Sequence, residues 1–227
     1  MNIAFVPIRS GSKSIPLKNI KEFYGKPLVY WVLNALQNAK EIDIVYIAID
    51  SEQIKKKVQE FGFSKVKIYD RDPENATDNA SSESVMLEFI NKNNFNNNDL
   101  FVLAQATSPL TQSKHFDNAI KKLKKENADS LVTGVRNKRF FWDENGTPIN
   151  YDHTNRPRRQ DFSGIIMENG AFYISKIENL KRYPKTRLSG KITIYEMEEY
   201  TGVEIDEEHD WLIAEILMQK YILNIQK

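Results

Sequence analysis

The residues best suited to chemistry stand near the start of the chain, in the stretch Arg9-Ser10-Gly11-Ser12-Lys13-Ser14-Ile15-Pro16-Leu17-Lys18-Asn19. Gly11 and the serines let backbone N–H groups come close to an anion, and Arg9, Lys13 and Lys18 supply three cations, which suits a triphosphate better than a monophosphate. A Walker A loop needs a glycine, four residues and then Gly-Lys-Ser/Thr, and only Gly11 is present; three spaced glycines of a dinucleotide fingerprint are also absent. On composition alone an ordinary solvated loop with scattered lysines is the competing description.

The elements around this loop favour the anion site. Asn2 to Ile8 is almost wholly apolar and reads as a buried strand, and the loop opens at its C-terminal end, where open α/β sheets bind phosphates. Ile42 to Asp50 is a second such strand, followed by a Ser51 cap, a helix with Ile54, Val58 and Phe61 on one face, and a stop at Gly62. Further strands are expected at Lys65 to Arg71, Leu100 to Ala106 and Ser130 to Arg136, with helices at Leu28 to Ala39, Ser82 to Asn91 and Lys114 to Glu126. This alternation predicts a doubly wound α/β fold with a mostly parallel sheet.

The rhythm breaks between about Asn137 and Gly190, where Arg139-Phe140-Phe141-Trp142, the turn Glu144-Asn145-Gly146 and the run Arg156-Pro157-Arg158-Arg159-Gln160 predict an insertion over the C-terminal edge of the sheet. Glu168 to Ser175 resumes strand-like composition, and a final helix from Asp206 places Trp211, Ala214, Met218 and Tyr221 at helical spacing, as a core stripe.

The 227 residues suit one domain, and 32 basic against 31 acidic residues leave a net charge of +1, with no broad field to attract nucleic acid or an anionic membrane. Cysteine is absent, which excludes disulfides and thiolate metal sites. No run approaches the ~20 apolar residues that span a bilayer, and no signal pattern opens the chain, so a cytoplasmic protein is expected.

Several segments resemble the N-acylneuraminate cytidylyltransferases, nearly from end to end. The opening loop is similar to that family's Arg-x-x-Ser-Lys-Gly-x-x-x-Lys-Asn signature at Arg9, Ser12, Lys13, Lys18 and Asn19, with Ser14 where the family usually has glycine. Arg71, Asp78-Asn79-Ala80-Ser81-Ser82, Gln105-Ala106-Thr107-Ser108-Pro109-Leu110, Arg158, Glu168-Asn169-Gly170-Ala171-Phe172-Tyr173 and Val203-Glu204-Ile205-Asp206 follow in order. Glu204 departs from the first aspartate of the family's Asp-Ile-Asp. The resemblance implies a Rossmann-like nucleotidyltransferase fold, CTP as substrate with Mg²⁺, and activation of a nonulosonic acid. The insertion at about 137–190 looks closest to the animal-type members, which implies a dimerisation subdomain and a homodimer or a dimer of dimers.

The resemblance also implies roles. Arg9, Ser12, Lys13, Asn19, Arg71 and Ser82 would bind the nucleotide, the last two at the cytosine, with Arg9, Lys13, Lys18 and Asp206 carrying catalysis. Asp206, and Glu204 after it, are the metal candidates: Mg²⁺ takes oxygen ligands, and residues two apart on a strand end face the same side. Gln105, at the end of a strand with Thr107-Ser108-Pro109 opening the next helix, would contact the sugar acid, as would Asn169 and Tyr173. Arg158 is assigned to the acid's carboxylate, since guanidinium and carboxylate pair through two parallel hydrogen bonds. Three arginines on a neutral chain are a weak nucleic-acid footprint, and His115, His153 and His209 are isolated, surface or helix-terminal residues rather than a metal pair.

The expected activity is transfer of CMP from CTP to N-acetylneuraminic acid. Legionaminic, pseudaminic or 3-deoxy-octulosonic acid are alternative acceptors, and a non-catalytic nucleotide or RNA binder is the distant rival.

Overall fold

A computed structural model describes residues 1–12, 14–77 and 80–225. In chain order its strands and helices are β1 (Asn2–Pro7), β2 (Glu22–Phe23), β3 (Lys26–Pro27), α1 (Leu28–Asn38), β4 (Ile44–Ile49), α2 (Glu52–Gln59), β5 (Val66–Asp70), α3 (Ser82–Lys92), β6 (Leu100–Ala104) and α4 (Ser113–Lys125). They continue with β7 (Ser130–Asn137), β8 (Ile165–Lys176), α5 (Ile177–Arg182), β9 (Ile192–Met197) and α6 (Glu208–Leu217).

Among the described residues, seven strands form one sheet in the order β5-β4-β1-β6-β8-β7-β9. β5, β4, β1 and β6 are parallel, as are β7 and β9, whereas β8 runs antiparallel to both of its neighbours, β6 and β7. The expected doubly wound, mostly parallel sheet is therefore present, with one inverted strand inside it.

Alternation along each strand decides which side chain meets which helix layer. Ala4, Val6, Ile47 and Val102 pack with Val32 and Leu36 of α1, Ile54 of α2 and Phe116 and Ile120 of α4. Ile3, Phe5, Phe101 and Leu103 face the other way, onto Val85 and Phe89 of α3 and Ile177 and Leu180 of α5. A third cluster joins Ile15, Phe23, Ile205 and Trp211, so α6 and the β2–β3 ribbon clamp the loop after β1 to the segment before α6.

Several sequence expectations shift. Residues 165–176 belong to the central sheet, so the insertion divides into 138–164, where Trp142 bridges Pro148 across the Asn145-Gly146 turn, and 177–190, which holds α5. Thr107-Ser108-Pro109 does not open a helix. It forms a turn, with Ser108 N donating to the Gln105 carbonyl (3.3 Å) and Thr111 N to the Ser108 carbonyl (3.2 Å), and α4 begins at Ser113. Nor is the Glu204–Asp206 segment a strand end; it is extended backbone after a 3₁₀ turn, fixed by the Ile205 N–H to the Thr107 carbonyl at 2.9 Å.

His115 is at a helix terminus as expected but is fully buried. Its Nδ1 accepts from the Gln112 backbone N–H (3.1 Å) and its Nε2 lies 2.9 Å from Glu198 Oε2. Burial pushes its pKa down to about 4, against the opposing pull of Glu198.

Candidate functional site

The C-terminal ends of β1, β4, β5 and β6 lie at one edge of the sheet, and the segments leaving β1, β5 and β6 border a cleft of about 370 Å³. Arg9, Ser12, Lys18 and Asn19 come from the loop after β1, Arg71 from the end of β5, Ser81 and Ser82 from the start of α3, Gln105 to Thr107 from the end of β6, and Glu204 and Asp206 from the segment before α6. Lys13, Asp78 and Asn79 lie outside the described residues.

The loop after β1 is held from several sides. The buried Asn19 amide donates to the Arg9 carbonyl (3.0 Å), and the Ser10 N–H donates to Asp50 Oδ1 at the end of β4 (2.9 Å). Its left-handed backbone falls at Leu17 (φ 52°) and not at Ser14, whose hydroxyl donates to Glu207 Oε1 (2.9 Å). Arg71 reaches back along the sheet, its Nε donating to the Ala48 carbonyl at 3.3 Å; burial pushes its pKa down, and Asp50 opposes this.

Capping separates two adjacent serines. Ser81 Oγ accepts from the Ser84 N–H (3.1 Å) and so caps α3, which leaves Ser82 as the first helical residue, on the wall of the cleft.

The acidic side is built by the Val203-Glu204-Ile205-Asp206 alternation: Ile205 is fully buried, and Glu204 and Asp206 both border the cleft. Glu204 Oε1 accepts from Thr107 Oγ1 (2.9 Å), and burial pushes its pKa up while that hydrogen bond opposes the rise. Lys18 Nζ donates to the Ile205 carbonyl (2.6 Å) and to Asp206 Oδ1 (3.1 Å).

β8 carries an irregularity that shapes this wall. Val132 pairs with Tyr173 and Gly134 with Glu168, so residues 169–172 bulge out of register, and Thr133 Oγ1 both donates to the Phe172 carbonyl (2.9 Å) and accepts from the Phe172 N–H (3.3 Å). Gly170, at φ +65°, lies under the Glu204 carboxylate, where an added Cβ would sit 2.6 Å from Oε2. The next residue, Ala171, accepts the Gln105 N–H through its carbonyl at 3.0 Å.

The family model for cytidylyltransferases matches residues 3–226, end to end across this cleft and its supports. The chain belongs to the cytidylyltransferase family. It is 36% identical over 219 residues to N-acylneuraminate cytidylyltransferase A of Danio rerio, an alignment covering 93% of this chain and 49% of the relative. Against N-acylneuraminate cytidylyltransferase of Oncorhynchus mykiss the identity is 37% over 219 residues, covering 93% and 49% respectively. The chain thus spans about half the length of these curated relatives. In fold it is similar to a CMP:2-keto-3-deoxy-manno-octonic acid synthetase complexed with CTP, at a TM-score of 0.74 and 16% identity, covering 97% of this chain and 99% of that one.

For a cytidylyltransferase, the expected residues fall into two groups. Arg9, Ser12, Lys18, Asn19, Arg71, Ser82, Gln105, Glu204 and Asp206 share the cleft. The three remaining sugar candidates do not line it. Asn169 is buried and turned away, its amide nitrogen 3.3 Å from the Thr201 carbonyl, so within this chain it braces the bulge. Arg158 is exposed in the insertion, its carbonyl accepting from the Asp161 and Phe162 N–H groups (3.1 and 3.0 Å). Tyr173 is buried, with its hydroxyl on Glu168 and the Arg187 guanidinium 4.6 Å above its ring; burial pushes its pKa up to about 12.

Two residues without a sequence signal pack against Tyr173 here: Arg187, above its ring, and Glu83, paired with Arg187 at 2.7 Å through Oε1 and Nε. Glu83 resembles any acidic residue in a first helical turn, and Arg187 falls in a stretch with no periodicity.

Among the described residues no helix is long and apolar enough to cross a membrane.

Proposed function

We propose that this protein transfers a cytidylyl group from CTP to the C2 hydroxyl of a 2-keto-3-deoxy nonulosonic acid, with N-acetylneuraminic acid as the favoured acceptor. The C2 oxygen bonds to the α-phosphorus, the bond from that phosphorus to the β-phosphate bridge breaks, and pyrophosphate and a proton are released.

The observation that carries this reading is the meeting, in one cleft, of Arg9 and Lys18 with the Glu204 and Asp206 carboxylates. Cations on the loop neutralise phosphate charge and orient the triphosphate, and Arg71 and Ser82 border the end where the base would lie. Gln105, at the junction of β6 and the bulge, faces the acceptor side. The relatives named above support the choice of CTP and of a sialic acid.

Glu204 and Asp206 offer hard oxygen donors in the number Mg²⁺ takes when it also binds substrate phosphates, so this donor set fits the ion. When bound there, it would supply charge neutralisation at the phosphates. The outlying segment 138–164, with Trp142 (49%) and Ile149 (63%) exposed, is proposed as the contact with a second copy of the chain.

Pyrophosphate release from CTP and Mg²⁺, followed with and without N-acetylneuraminic acid, tests the activity. Acid-dependent release is expected. Release with another nonulosonic acid alone would change the acceptor, and no release with any of them would overturn the transfer itself.

A further inference from the structure

Next to the cleft, four side chains form a continuous run of contacts: Glu83, Arg187, Tyr173 and Glu168. Arg187 Nε donates to Glu83 Oε1 at 2.7 Å, and Nη2 lies 2.5 Å from the same oxygen. The guanidinium sits 4.6 Å above the Tyr173 ring centroid, and the Tyr173 hydroxyl bonds Glu168. Arg187 and Glu83 keep 28% and 20% of their side chains exposed, so the pair is shielded but still reachable from solvent.

Glu83 follows Ser82, which borders the cleft, on the first turn of α3, so the run starts beside the cleft. Two further positions place it at the acceptor end. Tyr173 pairs with Leu103 on the face covered by α3, and Gln105 stands two residues further along that same strand path. Arg187 is also near enough to Glu204, which borders the cleft, to work against the rise that burial imposes on that carboxyl.

Charge balance then decides what this end can hold. Glu83 already pairs with the one guanidinium of the run and Glu168 holds the Tyr173 hydroxyl, which leaves a poor site for a further anion. Arg9 and Lys18 stand on the loop after β1, where a triphosphate would lie. A paired guanidinium, a phenol and two carboxylates instead offer donors and acceptors side by side, which suits neutral hydroxyl and amide groups.

We propose that Arg187, held by Glu83 and stacked on Tyr173, is a specificity-determining residue that contacts the hydroxyl and acylamino substituents of the acceptor. The assignment rests on the cytidylyltransfer reading above.

Arg187→Met, Arg187→Lys and Glu83→Gln test it, with two acceptors: N-acetylneuraminic acid and its analogue bearing a hydroxyl in place of the acylamino group. For Arg187→Met the acceptor KM should rise ~10-fold or more and the kcat/KM preference between the two acids should change by at least ~5-fold, with KM for CTP within about twofold. Arg187→Lys keeps the charge but not the planar fork, and Glu83→Gln keeps the shape but not the ion pair; each should shift the preference in the same direction, and either serves if Arg187→Met melts early.

An unchanged acceptor preference, or a CTP KM that moves as far as the acceptor KM, overturns the assignment alone. Failure of the unsubstituted protein to release pyrophosphate with every acid overturns the cytidylyltransfer reading and this assignment together.

Discussion

Lys18 and Asp206 stand 188 positions apart in sequence, yet Lys18 Nζ lies 3.1 Å from Asp206 Oδ1. The lysine is 11% exposed and the aspartate 67%, so the ammonium is tucked beneath the 205–206 backbone while the carboxylate projects into the cleft. The same contact ties the cationic loop to the acidic segment.

Replacing either partner, as Lys18→Met or Asp206→Asn, should lower kcat by ~10²-fold or more, because each removes charge placed against the phosphates. Stability should change by less than about 1 kcal/mol in Asp206→Asn, since an ion pair with one solvated partner contributes little to folding, whereas Lys18→Met also leaves the Ile205 carbonyl without its donor and should cost about 1–3 kcal/mol. Steady-state kinetics beside thermal melting separate the two effects; a melting loss that matches the activity loss would remove the catalytic role.

Gly170→Ala should be costly on two counts. The backbone is left-handed at φ +65°, which costs a non-glycine residue roughly 1–2 kcal/mol, and the new Cβ meets Glu204 Oε2 at 2.6 Å. Urea unfolding should show the first, and reduced turnover from a displaced Glu204 the second; a variant with unchanged stability would mean that the bulge relaxes freely.

Glu88 is expected to control the nucleotide end from behind. Its carboxylate accepts from Tyr69 Oη (2.5 Å), Asn75 Nδ2 (2.7 Å), the Asp72 N–H (3.1 Å) and Lys92 Nζ (3.3 Å), pinning the loop that follows Arg71. Burial alone would push its pKa up, but the Tyr69 and Asn75 hydrogen bonds bring it below the usual value. Glu88→Gln should raise KM for CTP and lower stability by about 1–3 kcal/mol, leaving the acceptor KM unchanged. Equal effects on both KM values would show a general loss of structure.

The buried imidazole of His115 predicts acid sensitivity. With its pKa about 4 in the folded chain against an ordinary 6.5, the unfolded state binds the proton first, so stability is full above pH 6.5 and falls as pH drops toward 4. The loss reaches about 3 kcal/mol from this one group. Denaturant melts at pH 7.5 and 4.5 should show a smaller pH dependence in His115→Gln, whose amide oxygen can still accept from the Gln112 N–H.

Much of the fold was legible along the chain. β1, β4 and β6 are apolar on both faces because both faces are covered, and that doubling appears as unbroken apolar runs. Arg9 was visible because it follows the β1 run directly, and Lys18, Glu204 and Asp206 because they fall in ordered motifs that resemble the family's. The direction of Asn169 was not legible, since a motif position gives no side-chain direction: the bulge at 169–172 turns its amide toward Thr201.

What the sequence determined by itself was local: the alternation of strands and helices, the cation-rich loop and the turn at Asn145-Gly146. These depend on residues within a few positions of one another, where backbone preference and side-chain period act directly. Tertiary structure alone decided that β8 enters the sheet inverted, that Gly170 lies beneath Glu204, and that Glu83 meets Arg187 across 104 positions. Such contacts arise from the path of the whole chain and from which buried groups must find partners, and neither is encoded in any short window of residues.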